Sequence, residues 1–168
     1  MYKKTHTYTD FNGTVRTEDF YFNLTKTEFF ELELGAIGGM EGGMTAWLEK
    51  LTSEQDGVKI AEVFKTIMLA SFGIKSVDGK HFWKVDPKDG HKYADEFAQT
   101  QAYSDMYLEF VMDSKEGAEF INGIMPTFTE EEFKKWEAQA AEIRAKKFAE
   151  LSAVNDAPVL TPVEDPAN

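Results

Sequence analysis

The sequence contains no cysteine, which removes disulfide frameworks, thiolate metal sites and cysteine nucleophiles together. Basic residues are scarce beside acidic ones, 18 against 30, and the net charge is −12. That charge repels nucleic-acid phosphates and anionic lipid head groups, so neither nucleic acid nor a membrane surface is expected as a partner. Long apolar runs are missing too: a stretch such as Ile67-Met68-Leu69-Ala70 falls far short of the roughly 20 residues that cross a bilayer. Met1-Tyr2-Lys3-Lys4 has the charge that opens a signal peptide, but Thr5-His6-Thr7 stands where its apolar stretch would begin. The expectation is a soluble chain working in the cytoplasm.

Only three histidines are present, His6, His81 and His91. The last two flank Asp86-Pro87-Lys88-Asp89-Gly90, yet no His-Glu-x-x-His or EF-hand pattern occurs, and they read as surface histidines beside turn-forming aspartates. Glu31 with Glu33, and Glu130 to Glu132, read as solvated helix faces or complements to a helix dipole rather than paired catalytic carboxylates. The glycine-rich stretch Gly38-Gly39-Met40-Glu41-Gly42-Gly43 lacks the Lys-Ser/Thr ending of a phosphate loop and reads as a flexible joint. No catalytic residue, cofactor site or metal site is assigned, and the chain is not read as an enzyme.

What is present is aromatic and apolar: 14 phenylalanines and 42% apolar residues belong to a folded chain. Two alternating segments, Tyr2 to Tyr8 and Val15 to Phe22, flank Asn12-Gly13, the dipeptide of a tight type I′ hairpin turn. The alternation slips at Glu18-Asp19, which suggests a bulge. Thr25-Lys26-Thr27-Glu28 has capping-box spacing, and Phe29, Phe30, Leu32 and Leu34 follow before a stop at Gly35. After the glycine joint, a helix carrying Met44, Trp47, Leu48 and Leu51 is expected. Asp56-Gly57 then breaks the chain. Ile60, Val63, Phe64, Ile67, Met68 and Ser71 form the buried face of a helix capped by Gly73, and this helix is read as the centre of the core.

Turns at Ser76 to Gly79 and Asp86 to Gly90 enclose a short extended piece, and a lead-in helix with Tyr93 and Phe97 precedes a longer one with Tyr103, Met106, Tyr107, Phe110 and Val111. Asp113-Ser114 caps the next, with Ala118, Phe120, Ile121 and Ile124 inward up to Pro126. Thr129 caps an acidic first turn, and the chain from Phe133 to about Ala153 favours helix. Beyond it, Pro158, Pro162 and Pro166 punctuate a stretch without basic residues. The resulting fold class is α+β, mainly α: an N-terminal β-hairpin with a compact helical domain over 1–126, a C-terminal helix over 127–154 and a flexible acidic tail over 155–168. Phe133, Trp136, Ala140 and Ile143 lie past the end of the domain and form the candidate contact stripe.

Taken in order, Tyr8-Thr9-Asp10-Phe11-Asn12-Gly13, Glu18 to Lys26, Val63-Phe64-Lys65 to Ser71-Phe72-Gly73, Ser76 to Phe82, Phe97 to Ser104 and Phe120-Ile121-Asn122-Gly123-Ile124-Met125-Pro126 resemble the tail assembly chaperones of long-tailed, siphovirus-type phages and prophages of Gram-positive bacteria. The resemblance covers about residues 1–126, and the chain continues beyond the Met-Pro ending. It implies a non-enzymatic assembly factor of the host-cell cytoplasm, absent from the finished virion. Such a factor coats the tape measure protein and helps the tail tube (major tail) protein polymerise around it. Two other readings remain open: a structural tail or head-completion protein whose open hairpin edge joins copies into a homo-oligomeric ring, and an acidic DNA-mimic inhibitor.

Overall fold

A computed structural model describes residues 1–34 and 57–155. The glycine-rich joint, the helix expected around Met44 to Leu51, the Gly35 stop and the tail past Asn155 lie outside the described residues. The chain divides into two compact units, Met1–Thr127 and Phe128–Asn168.

The first unit opens with β1 (Tyr2–Thr9) and β2 (Val15–Phe22), paired antiparallel in unbroken register from Tyr2↔Phe22 to Thr9↔Val15. The bulge expected at Glu18-Asp19 is therefore absent. Glu18 faces the same side as Phe20 and Phe22, but it lies towards the hairpin tip and is exposed, so a charge there breaks the hydropathy pattern without breaking the pairing. The expected type I′ turn is also corrected. The Gly13 N–H donates to the Asp10 carbonyl and the Asp10 N–H to the Thr14 carbonyl, so the turn centres on Phe11-Asn12, with Gly13 following at φ +79°. This is a type I turn closed by a left-handed glycine. The cause is Asp10, whose carboxylate accepts from the Asn12 and Thr14 N–H groups and from the Arg16 guanidinium.

Helix α1 (Lys26–Glu33) starts at the expected capping box: the Glu28 N–H donates to Thr25 Oγ1, and the Thr25 N–H donates back to Glu28 Oε2. Helix α2 (Gly57–Ser71) buries Val63, Phe64, Ile67, Met68 and Ser71, as the spacing predicts. Gly73 is not its cap. The chain passes from Ser71 straight into β3 (Phe72–Lys75), which pairs with the end of β2 through Tyr21↔Gly73 and Phe22↔Phe72 and with β4 (Phe82–Trp83) through Ile74↔Trp83. Glycine is needed at position 73 for space: a Cβ there would lie 2.7 Å from the Phe82 ring and 2.8 Å from the Trp83 carbonyl oxygen.

Short α3 (Tyr93–Phe97) is followed by α4 (Gln101–Met112), capped by Thr100, and α5 (Ser114–Ile124), capped by Asp113. Helix α5 buries Gly117, Phe120 and Ile124, while Ala118, read as inward, is exposed. Met125 is held extended before Pro126, which ends the helix. The sheet order is β1-β2-β3-β4, and α4 and α5 cover the inner face of β1. No helix among the described residues is long and apolar enough to cross a membrane.

Among the described residues, aromatic ring contacts gather at Phe22, beside the buried face of α2. Phe22 has no exposed surface, and its ring lies 5.7 Å from Phe72, 5.8 Å from Phe97, 5.4 Å from Phe120 and 6.3 Å from Tyr2. Phe72 stacks on Phe97 at 4.0 Å and Phe110 on Phe120 at 4.5 Å.

Two lysines are held inside this frame. Lys4, on the inner face of β1, reaches Glu109 at 2.8 Å and Glu116 at 2.9 Å. The Lys84 ammonium donates to the Ala70 carbonyl at 2.7 Å and pairs with Glu28, also at 2.7 Å, joining the segment after β4 to the start of α1 and the end of α2. Burial pushes the Glu28 carboxyl up, but the Lys84 ammonium and the Thr25 hydrogen bonds outweigh it and hold the group below the ordinary glutamate range.

Two outcomes follow. Gly73→Ala should lower stability by about 2 kcal/mol, read as a shifted denaturation midpoint, because the added Cβ would force the Phe82 ring and the Trp83 carbonyl apart from β3. Since the Glu28 pKa is depressed in the folded state, its contribution is present above the unfolded pKa and disappears as pH falls through the folded one. Urea unfolding across pH 2–6 should therefore show Glu28→Gln with a lower plateau and a shallower loss of stability below about pH 4.3 than wild type, the remaining slope coming from the hydrogen-bonded aspartates.

Candidate contact surface

The second unit begins with a helix start written fully into the sequence. Thr129 accepts from the Glu132 N–H at 3.2 Å while the Glu132 carboxylate accepts from the Thr129 N–H at 3.0 Å, a second capping box. It opens α6 (Glu130–Asn155), whose first turn carries Glu130, Glu131 and Glu132 at the positive end of the helix dipole. Phe128 precedes the cap and Phe133 is the fourth helical residue, the two positions of a hydrophobic staple. Their rings are 6.1 Å apart, and Trp136 lies 5.7 Å from Phe128 and 5.6 Å from Phe133. Three aromatic rings thus form one cluster at the entry to the helix.

Of the four residues read as a contact stripe, Phe133 and Trp136 are brought together in this cluster, each half-buried. Ala140, four residues on, has no exposed surface, while Ile143 is 43% exposed. Glu142 and Lys146 form an exposed ion pair further along. Phe128 was missed as a member of the cluster. The signal for it was present, an aromatic residue immediately before a Thr-x-x-Glu box with a second aromatic residue immediately after.

The loop histidine also has a defined role. Asp86, Asp89 and His91 bring ligand-type atoms within 4.8 Å of one another. They also shape the turn: Asp86 accepts from the Lys88 N–H and the Tyr93 hydroxyl, and Asp89 accepts from the His91 N–H and contacts His91 Nδ1 at 2.6 Å. The Asp89 carboxylate raises the His91 pKa above the ordinary histidine value. His6 faces Asp105 at 3.6 Å beneath α4, and His81 stacks on Trp83 at 5.5 Å. The three histidines thus sit in three separate settings.

The staple and the capping box act on the same turn, so Phe128→Ala and Thr129→Ala should each speed amide hydrogen exchange over residues 131–136 about fivefold, the equivalent of roughly 1 kcal/mol. Exchange in the β1–β2 hairpin should be unchanged.

The family model described as phage tail assembly chaperone matches residues 1–165. No curated protein and no solved structure matches the chain. The match runs well past residue 126, where the resemblance legible in the sequence stops, and takes in α6. From its hairpin to its terminal helix, the chain belongs to the phage tail assembly chaperone family.

Proposed function

We propose that this chaperone binds the tape measure protein, helps the tail tube protein polymerise around it in the host cytoplasm, and is left out of the finished virion. Membership of the family supports a role in tail assembly, and an assembly factor needs client contact rather than catalysis. The observation that carries the reading is the Phe128, Phe133 and Trp136 cluster, continued on α6 by the exposed Ile143. Partly exposed aromatic rings at the start of a helix suit an apolar, helical client, since aromatic side chains bury large area at small entropic cost. Ala140 is a closed position, so contact falls to the residues around it. The charge of −12 would keep a chaperone–client complex soluble while its apolar surfaces are engaged.

Co-expression with the tape measure protein should bring that protein into the soluble fraction, where the two co-elute. A Phe133→Ala/Trp136→Ala variant that keeps the wild-type circular dichroism spectrum should bind it at least about tenfold more weakly. A tape measure protein that stays insoluble beside wild type would refute the reading, as would recovery of this chain in purified virions.

A further inference from the structure

An open groove of about 600 Å³ lies in the first unit, away from the α6 cluster in sequence and lined by α1, the last turns of α2, β3, the segment after β4, and α3. Its walls are mainly apolar: Leu69, Ala94 and Val85 present surface to it, Val85 being 44% exposed, with the buried Leu24 and Leu32 behind them. Five charged side chains also line it. Lys84 is taken up by Glu28 and the Ala70 carbonyl, which leaves the carboxylates of Glu31 and Asp95, both exposed, against the single ammonium of Lys92.

From this arrangement we infer that the groove is a second docking site, for a helix whose apolar anchors are flanked by lysine or arginine. Apolar side-chain walls give an extended peptide few hydrogen-bonding partners, so the occupant must satisfy its own backbone, which a helix does. The acidic surplus at the rim favours basic flanks, and the −12 charge of the whole chain draws a basic segment in at long range. This deepens the chaperone reading and rests on it for the source of the helix, a segment of the client. A bipartite grip would follow, with α6 and the groove holding different stretches of one long client.

The test uses the full chain and a fluorescein-labelled 18-residue amphipathic peptide with leucines at i, i+4, i+7 and i+11 and flanking lysines, beside a counterpart with glutamates for lysines. Fluorescence anisotropy should show the lysine peptide binding at least about tenfold more tightly, and losing about as much between roughly 50 and 500 mM salt. Glu31→Lys/Asp95→Lys should reverse the preference. Ala94→Trp, which fills the groove, should weaken both peptides, with melting curves confirming that each variant folds. Equal binding of the two peptides, or variants that bind as wild type, would overturn the proposal, as would an Ala94→Trp chain that turns from dimer to monomer and so places a second copy in the groove. None of these failures would touch solubilisation of the tape measure protein, which stands or falls with the chaperone reading itself.

Discussion

The first unit depends on where one ring is placed. Phe22 is the last residue of β2, paired with Tyr2 on one side and Phe72 on the other, and its side chain meets Phe97 of α3 and Phe120 of α5. An isolated hairpin is marginal in water, and this one is stable because its base is part of the aromatic core rather than laid upon it. The same point fixes the chain that follows: the Asn23 N–H donates to Ser71 at the end of α2 and the Leu24 N–H to Ile124 at the end of α5. Moving the β2 register by one residue would turn Phe22 outward and undo all of these contacts at once.

Around that ring the protein accommodates charge inside its frame by pairing it. Lys4 and Lys84 are each held by carboxylates from other elements, and Lys84 also by a backbone carbonyl. A buried ammonium without partners would be costly, whereas a paired one fixes the relative placement of the elements that supply its partners. Some carboxylates position the hairpin and α1, while others, Glu31 and Asp95 among them, are exposed.

Both candidate contact regions follow from local rules carried through to geometry. At the entry to α6, cap and staple together hold three rings in one cluster instead of leaving them dispersed along a helix. In the first unit, α1, the last turns of α2, β3 and α3 come together to wall the groove. Two apolar contact regions of the kind proposed, under a strong negative charge, would suit a tail assembly chaperone to holding a long client without precipitating with it.

The sequence by itself determined whatever is decided within a few residues. The hairpin strands, the boxes at Thr25 and Thr129, the caps at Thr100 and Asp113 and the stop before Pro126 are local hydrogen-bond and steric choices, and each is where its residues place it. The family resemblance was legible for the same reason, as short segments in order, but it stopped at residue 126 because α6 carries a generic helical composition there. Only the tertiary structure decided that Phe72–Lys75 is a strand, since four residues that continue a helical apolar pattern become β3 only when β2 offers them an edge. It alone turned Gly73 from an expected cap into a point of close approach, gathered rings from β1, β3, α3 and α5 at Phe22, and drew Leu32, Leu69 and Ala94 into one groove. Those outcomes depend on residues tens of positions apart meeting in space, and no local pattern records such a meeting.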